Sequence, residues 1–462
     1  MTVLERLQAE LGTIVSVDAR ELNASRTDKS GWSADGVPLA VVHAVTVEHV
    51  QTVLRLASEF RVPVITRGAG TGLAGGACGS AGTIVLNVAG MNRILEIRPE
   101  DELAVVEPGV INQHLNDALA EHGLWFAPDP ASKAISTVGG NIATNAGGLL
   151  CAKYGVTREA VLALTVVLAD GTLLRTGHRT VKGVTGYDLT ALLTGSEGTL
   201  GVIVEATVRV RAVPVGTAVT VAAVFADVAA AAGASAAISA ARLRPAVMEL
   251  IDPVALAIVA DYIGPQASAG LADGAFLLVQ TDGAGALGEA EQVAVVMGDH
   301  GGDVRMSTDE ESGERLLSIR RLVHPALEQH GTVLIEDVSV PRSRMKEMFE
   351  EIARISARRG VTIPVIAHAG DGNLHPNFVI PADPLRRESD PQIPDNVWAA
   401  ADEMFRAALA LGGTLTGEHG VGVLKRRWLA DELGETSFDL QRRLKAVFDP
   451  LGILNPGTMF PS

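Results

Sequence analysis

Two histidines flank a turn signal in the second half of the chain, within the sequence HAGDGNLH. Apolar runs surround Asp371 and Gly372, and an Asp-Gly pair in that setting is typical of a β-hairpin. With these two residues at the centre of the turn, His368 faces His375 across the hairpin. Directly opposed side chains have Cβ atoms about 4.5–5.5 Å apart, so two imidazoles placed there can bind one metal ion. The same register puts Asn377 on the face of His375.

A catalytic metal needs a third ligand and an open coordination position. Glu418, in the sequence TGEHGVG, is the best candidate, because two histidines and a glutamate form a common zinc set. Manganese and iron accept similar ligands, so a divalent metal is predicted, with zinc as the first expectation. Neighbouring side chains of an extended segment project to opposite sides, so His419 is expected to stay off the metal and act as a general base. The alternative is that these are hydrogen-bonded loop histidines.

A glycine loop, RGAGTGLAGG, follows a predicted strand. Gly70, Gly72 and Gly75 have the spacing of a dinucleotide-binding loop, but that motif requires a helix to open at the loop. The next residues, GACGSAG, are unsuited to a helix, because each glycine there costs about 1 kcal/mol. The loop therefore predicts phosphate binding through backbone N–H groups in a different fold, with a purely structural turn as the alternative.

The composition excludes one class of function and indicates a compartment. The chain has 462 residues and a net charge of −16, and only 4% of its residues are aromatic. Nucleic acid is not an expected partner, because the phosphates would be repelled and the bases would find few stacking surfaces. Two cysteines, Cys78 and Cys151, give no disulfide framework and fit a reducing compartment.

No targeting or membrane segment is predicted. The N-terminal stretch is charged from Glu5 onward and lacks the apolar core of a signal peptide. No apolar run reaches the roughly 20 residues needed to span a bilayer. A cytoplasmic location is expected, with peripheral membrane contact as an alternative.

The pattern of predicted strands, helices and loops changes near Pro214. Before it, short apolar strands alternate with glycine-rich loops, and TVEHVQTVLRLASEF has helical spacing. After it, strand–helix–strand units are predicted, with an alanine-rich helix from Val228 and a strong helix ended by Gly360. The region from Asn396 to Asp449 is predicted to be mostly helical. The length favours two or three domains, with boundaries that give residues 1–213, 214–395 and 396–462.

Three segments of the first half resemble the FAD domain of vanillyl-alcohol-oxidase flavoproteins, the PCMH type: residues 67–76, 128–148 and 186–203. The second half, with HAGDGNLH, TGEHGVG and DPLGILNPG, resembles the 2-hydroxy-acid dehydrogenase branch of that family. The branch includes glycolate oxidase flavoprotein subunits, D-lactate dehydrogenases and D-2-hydroxyglutarate dehydrogenases. The resemblance implies an α+β chain: a two-subdomain PCMH-type FAD-binding domain, a ferredoxin-like substrate (cap) domain with an antiparallel sheet, and a C-terminal helical segment that packs back on the FAD domain.

The resemblance implies that three parts of the first domain bind FAD. The glycine loop would surround the pyrophosphate, and the second segment would line the ribityl chain and the isoalloxazine. The loop has Thr71 and no histidine of the kind that links the flavin in some relatives, so the FAD is expected to be non-covalent. The residues implied are Arg67, Gly68, Ala69, Gly70, Thr71, Gly72 and Gly75 in the loop, Pro128, Asp129, Ser136, Thr137, Gly139, Gly140, Ala143 and Thr144 in the second segment, and Ile203.

The branch implies oxidation of a D-2-hydroxy acid to the 2-keto acid, with hydride transfer to the flavin. Arg320, on a predicted helix, resembles the family position that holds the substrate carboxylate. His419 would take the hydroxyl proton, and Asn377 would assist through a hydrogen bond. Hydroxyglutarate-type members carry a lysine just before a DVSLP-like stretch, where this chain has Ile335 and Glu336. A monocarboxylate such as lactate is therefore favoured over a dicarboxylate.

Other functions stay open from the sequence. D-2-hydroxyglutarate dehydrogenase and glycolate oxidase subunit are the first alternatives. A flavin alcohol or lactone oxidase would not need the paired histidines, and an electron-transfer subunit would have no substrate site. The chain has no cysteine cluster for iron and sulfur, so electrons are expected to pass to an external quinone, cytochrome or electron-transfer flavoprotein, or to oxygen. A small-molecule substrate is expected, with a homodimer as one option.

Overall fold

The computed structural model describes residues 1–264, 274–307, 309–382 and 393–461. The chain forms two compact units. The first contains residues 1–148, 155–213 and 418–462, and the second contains residues 149–154 and 214–417. The helix Asp395–Ala410, which the sequence boundaries place almost wholly in the C-terminal segment, belongs to the second unit.

The bounds of the regular elements follow in chain order. The strands are β1 Val15–Ser16, β2 Ala40–His43, β3 Val64–Arg67, β4 Ile84–Asn87, β5 Ile94–Arg98, β6 Leu103–Val106, β7 Leu124–Trp125, β8 Val161–Val167, β9 Leu173–Gly177, β10 Val202–Arg209, β11 Arg211–Ala212, β12 Val219–Phe225, β13 Val247–Ile251, β14 Ala275–Thr281, β15 Asp303–Met306, β16 Thr332–Ile335, β17 Val338–Ser339, β18 Val365–His368 and β19 Asn373–Ile380. The α-helices are α1 Val3–Leu11, α2 Ala19–Ala24, α3 Val47–Phe60, α4 Asn112–Ala120, α5 Val138–Thr144, α6 Cys151–Tyr154, α7 Thr157–Ala160, α8 Leu189–Leu193, α9 Val228–Ala240, α10 Pro253–Ile263, α11 Ala286–Asp299, α12 Glu310–Arg321, α13 Val323–Glu328, α14 Met345–Arg359, α15 Asp395–Ala410 and α16 Leu429–Phe448, which is broken at Gly434.

The first unit is built on two main sheets. The four-stranded sheet has the order β1-β2-β4-β3, with β4 parallel to both β2 and β3. The five-stranded sheet has the order β5-β6-β10-β8-β9 and is antiparallel. One cluster of buried hydrophobic side chains is built on the four-stranded sheet and also includes Val167, Val202 and Val204 of the five-stranded sheet, and a second cluster is built on the five-stranded sheet. The two sheets agree with the predicted two-subdomain architecture.

The second unit is built on one eight-stranded sheet. Its order is β15-β12-β14-β13-β18-β19-β16, with β17 also paired to β19, and the pairs are antiparallel. The strand β13 is central, and all five of its residues are buried. The predicted α+β class and antiparallel sheet are confirmed.

The predicted helices form where their sequences indicate. Thr46 caps α3 by accepting a hydrogen bond from the backbone of His49, and Val50, Val53 and Leu54 are buried on one face. The helix α14 ends at Gly360, which has a left-handed backbone with φ of 63°. None of the helices in the described residues has the length and apolar character that crossing a membrane requires.

Candidate active site

The glycine loop lies between β3 and β4, and residues 68–83 contain no helix. The exclusion of a dinucleotide-binding helix is thereby confirmed. Arg67 donates from Nη1 to the carbonyl oxygens of Thr27 and Ala77, both at 2.8 Å. A Cβ on Gly70 would clash with Nη2 of Arg67, so the glycine leaves room for the arginine side chain. The side chain of Arg67 is therefore used to hold the loop in place, and the loop backbone is the part that remains to bind a ligand.

The second predicted FAD segment lies against the glycine loop within the first unit. Thr137 caps α5 by accepting from the backbone N–H of Gly140 at 3.2 Å. A Cβ on Gly68 would lie 2.5 Å from Oγ1 of Thr137, and a Cβ on Gly139 would lie 2.4 Å from Cβ of Pro108. These glycines are therefore required by close packing of chain segments, which explains the small residues of this region.

Several buried polar atoms of the first unit have no hydrogen-bond partner within the described residues. They include Oγ of Ser136, Nδ2 of Asn141 and Oγ1 of Thr66. An unmet buried donor or acceptor costs about 1–3 kcal/mol, so a polar ligand is the natural partner for these atoms. A glycine-shaped loop beside unmet hydroxyl and amide groups fits a dinucleotide such as FAD.

The remaining residues implied for FAD also lie in the first unit. The carbonyl of Pro128 accepts from Nδ2 of Asn112 at 2.9 Å, and the carbonyl of Ala143 accepts from the backbone of Glu197 at 2.8 Å. Asp129 and Ile203 are buried. Oγ1 of Thr144 donates to the carbonyl of Gly140 at 3.2 Å, so this hydroxyl is engaged within its own helix. Ala69, Thr71, Gly72 and Gly75 lie in the glycine loop itself.

The histidine hairpin is present, but its predicted register is wrong. His368 pairs with Asn373, and His375 pairs with Ile366. The turn contains four residues rather than two, because the backbone N–H groups of Asp371 and Gly372 both donate to the carbonyl of His368. The two-residue shift keeps the histidines on the same face, since side chains alternate with a period of two. Their ring centroids are 4.9 Å apart, with the planes at 83°.

A buried glutamate, Glu249, joins this hairpin from the neighbouring strand β13. It pairs directly with His368 in the sheet, and Oε1 accepts from Nδ1 of His368 at 2.6 Å. Its other oxygen accepts from Nε of Arg320 at 2.7 Å. Sequence reasoning missed Glu249. The signal was a single carboxylate in VMELI, an otherwise apolar strand in which an isolated charge is unfavourable.

Glu418, the predicted third metal ligand, begins the last segment of the first unit and is partly buried. Glu418 follows Gly417 directly, and Asp337 accepts from the backbone of Gly417 at 2.7 Å. Two buried imidazoles on one face are donors that zinc prefers, so the histidine hairpin fits a divalent cation, and Glu418 stays its predicted third ligand.

The segment after Glu418 is fixed by another buried carboxylate. Glu197 accepts from the backbone N–H groups of Val421 and Gly422 at 2.7 and 2.8 Å. Burial raises the pKa of Glu197 to about 7. His419 lies between the two fixed points and is half-buried. Its role as a base stays a prediction.

Two buried amides accompany the histidines. Nδ2 of Asn377 donates to the carbonyl of His375 at 2.8 Å, while its Oδ1 has no partner among the described residues. Neither amide atom of Asn373 has a partner in that part of the chain. The backbone N–H of Asn377 donates to the carbonyl of Pro364 at 2.9 Å, and on the other side of β19 Asn377 pairs with Ile335 of β16. The hairpin thus presents unmet amide groups on the strand that carries His375.

Family models cover both halves of the chain. The model described as FAD binding domain matches residues 38–177, and the model described as FAD linked oxidases, C-terminal domain, matches residues 217–459. The chain is 41% identical to "Glycolate oxidase subunit GlcD" of Bacillus subtilis (strain 168), over 92% of this chain and 89% of the relative. It is 34% identical to "D-lactate dehydrogenase" of Archaeoglobus fulgidus, over 90% of each chain.

Solved structures support the fold independently of close sequence similarity. A p-cresol methylhydroxylase crystal structure aligns with a TM-score of 0.79 at 20% identity, covering 99% of this chain and 96% of that chain. A 4-ethylphenol oxidase from Gulosibacter chungangensis aligns with a TM-score of 0.77 at 18% identity, covering 100% and 97%. These likenesses confirm the predicted PCMH-type fold.

Proposed function

Because the chain belongs to the FAD-linked oxidase family, a family of oxidoreductases, we propose that it oxidises a D-2-hydroxy acid to the corresponding 2-keto acid. Relatives named glycolate oxidase subunit and D-lactate dehydrogenase support this substrate class. The observation that carries the proposal is the buried histidine pair His368 and His375 on one face of the hairpin, with ring centroids 4.9 Å apart. A cation-binding group is not needed to bind flavin, but it suits a substrate with adjacent hydroxyl and carboxylate oxygens.

The first unit would hold FAD non-covalently. The glycine loop of residues 68–76 would surround the pyrophosphate with backbone N–H groups. Ser136 and Asn141 would give their unmet polar atoms to the cofactor. FAD, when bound, supplies the acceptor for the hydride that leaves the substrate carbon.

The two histidines and Glu418 would hold the divalent cation, with zinc as the first expectation and manganese or iron as the others. The cation, when bound, lowers the pKa of the substrate hydroxyl. Metal binding through Nε2 requires the neutral form of His368 with its proton on Nδ1, and Glu249 accepts a hydrogen bond from Nδ1. His368 is thus supplied with the tautomer that ligation requires.

His419 would remove the hydroxyl proton as a general base. Arg320 would orient the substrate by binding its carboxylate. Only Nε of Arg320 is engaged within the described residues, and guanidinium has five N–H donors, so its terminal amino groups suit a carboxylate. Asn377 would assist with its unmet Oδ1, which accepts a hydrogen bond from a ligand.

A lactate-like monocarboxylate is the favoured substrate. The positions that resemble the distal-carboxylate lysine of hydroxyglutarate-type members carry Ile335 and Glu336, and neither attracts a second carboxylate. Glycolate is the second candidate, because the relative named glycolate oxidase subunit is 41% identical. Reduced flavin would pass its electrons to an external acceptor.

Anaerobic substrate addition tests the function. The purified holoprotein is mixed with D-lactate, L-lactate, glycolate or D-2-hydroxyglutarate, and flavin absorbance is followed. We expect D-lactate to bleach the flavin fastest and L-lactate to leave it oxidised. If none of the four acids bleaches the flavin, the proposed function is wrong. Fastest bleaching by D-2-hydroxyglutarate would overturn the choice of a monocarboxylate.

A further inference from the structure

We propose that Glu249 is a positioning residue that holds the metal ligand His368 and the substrate-binding cation Arg320 through one carboxylate. This inference rests on the proposed function for the roles of those two residues. The contacts themselves belong to the second unit and to three separate elements: β13, β18 and α12. Glu249 thereby links the geometry of the cation site to the geometry of substrate binding.

The burial of Glu249 supports a dedicated role. Its side chain is 1% exposed, and a carboxylate in an apolar strand persists only when its oxygens are satisfied. One oxygen meets Nδ1 of His368 at 2.6 Å and the other meets Nε of Arg320 at 2.7 Å. The guanidinium supplies the compensating charge and the strand pairing supplies the alignment, since Glu249 and His368 are direct partners in the sheet. Neither partner can move without leaving a buried oxygen unmet.

The contact with His368 selects a tautomer. A carboxylate only accepts, so Nδ1 carries the proton and Nε2 carries the lone pair used for metal binding. A carboxylate behind a ligating histidine also fixes the ring orientation and increases the basicity of the ligand. Glu249 therefore acts on the cation through His368 rather than by touching the cation.

The contact with Arg320 distinguishes it from its neighbour Arg321. The side chain of Arg320 is 12% exposed and is bonded to Glu249, whereas that of Arg321 is 56% exposed and pairs with Glu314 on the helix surface. Both arginines lie in the last turn of α12, so the sequence alone does not separate them. The buried bond to Nε sets the direction of the Arg320 guanidinium and leaves its terminal amino groups for a carboxylate.

Replacing the carboxylate by an amide should break one of the two contacts. In Glu249→Gln, the single oxygen satisfies either Arg320 or His368, and the NH₂ group then faces the other. If the NH₂ faces His368, Nδ1 must accept and Nε2 takes the proton, which removes the ligand lone pair. If it faces Arg320, two donors oppose each other and the guanidinium is displaced. Either arrangement harms the site without removing volume.

The experiment uses full-length holoprotein freed of divalent cations by chelation and then titrated with Zn²⁺ or Co²⁺. We expect Glu249→Gln to weaken cation binding by about 10–100-fold, to change the visible spectrum of bound Co²⁺ and to raise the KM for D-lactate. Bound FAD should stay at the wild-type level. Glu249→Asp keeps the acceptor oxygens on a shorter side chain and should fall between wild type and Glu249→Gln. Glu314→Gln, which removes the exposed partner of Arg321, is the matched control and should match wild type.

The measurements on wild type and on the Glu249 variants distinguish a wrong proposed function from a wrong role for Glu249. If the wild-type protein binds neither cation and no hydroxy acid bleaches its flavin, the proposed function fails. If wild type does both and Glu249→Gln binds both cations within about twofold of wild type, with an unchanged KM, the role of Glu249 is overturned while the function stands. Should Glu249→Gln not fold, Glu249→Asp decides: wild-type affinity, Co²⁺ spectrum and KM together would overturn the proposal.

Discussion

The candidate ligand sites of the two units are built from different parts of the chain. In the first unit the candidate FAD site is made mainly of backbone: glycines at 68, 70 and 139 allow close packing, and the unmet polar atoms include two hydroxyls and an amide. In the second unit the site around the histidine hairpin is made of side chains: one buried glutamate accepts hydrogen bonds from His368 and Arg320. Backbone shape suits a large cofactor, whereas charged side chains suit proton and cation chemistry.

This contrast has a consequence for substitutions. A glycine site fails when volume is added, because the neighbouring chain has no room to move. A side-chain site fails when a donor or a charge is removed, because the remaining buried groups are then left unmet. The two units should therefore respond to opposite kinds of substitution.

Removing either hairpin histidine should have the largest effect. His368→Ala and His375→Ala should each lose the cation and lower kcat by about 1,000-fold or more, since Lewis-acid metals contribute several kcal/mol and each 1.36 kcal/mol is tenfold. Metal analysis and steady-state assays measure this, and the flavin should remain bound. His300→Ala, which removes an exposed imidazole bonded within its own helix, is the control. Full metal content in either hairpin variant would refute the ligand assignment.

The adjacent residues Glu418 and His419 should separate in their effects. Glu418→Gln should weaken cation binding, with some activity restored at high cation concentration. His419→Ala should keep the cation and FAD but slow flavin reduction by about 10²–10⁴-fold, the usual contribution of a positioned base. Stopped-flow reduction and metal analysis of both variants measure the difference. Loss of the cation from His419→Ala, with retention in Glu418→Gln, would show that the two roles are reversed.

Adding a methyl group should harm the first unit selectively. A Cβ at Gly139 would lie 2.4–2.9 Å from atoms of Pro108, two of which belong to the backbone, so Gly139→Ala should displace the segment and weaken FAD binding. Overpacking costs about 1–3 kcal/mol, which corresponds to roughly 5–100-fold. The FAD-to-protein ratio after dialysis measures it, and acid precipitation should release the flavin from wild type into solution. Gly288→Ala, a helix position with open space, should keep wild-type FAD. Equal FAD retention in both variants would contradict the packing argument.

Local signals in the sequence were reliable, and long-range contacts were not accessible from it. The hairpin at Asp371-Gly372 and the absence of a helix after the glycine loop followed from short stretches. The register did not, because the number of turn residues depends on backbone bonds to His368 that composition does not show. Glu249 lies 119 residues from His368 in the chain, so their contact arises only from the pairing of β13 with β18.

Buried carboxylates should make the stability of the protein depend on pH. Burial raises the pKa of Glu197 to about 7 from an ordinary value of 4.5. The folded state therefore binds a proton that the unfolded state releases between these values. The stabilisation from that proton is complete below about pH 4.5 and is lost as the pH rises through about 7. Asp252, in the second unit, has a pKa raised to about 7 by burial and contributes in the same direction.

Flavin release isolates the contribution of Glu197, because the candidate FAD site and Glu197 lie in the same unit. In wild type, the urea concentration at the midpoint of flavin release should decrease as the pH is raised from 5 to 8. The decrease should correspond to about 1–3 kcal/mol of stability. In Glu197→Gln this decrease should be smaller, because the side chain no longer titrates. The midpoint at pH 5 should also be lower than in wild type, because one of the two backbone N–H groups loses its acceptor. Glu310→Gln, at an exposed position of α12, should reproduce the wild-type profile. An identical pH dependence in Glu197→Gln and wild type would show that Glu197 is already ionised across this range and that its two backbone hydrogen bonds outweigh its burial.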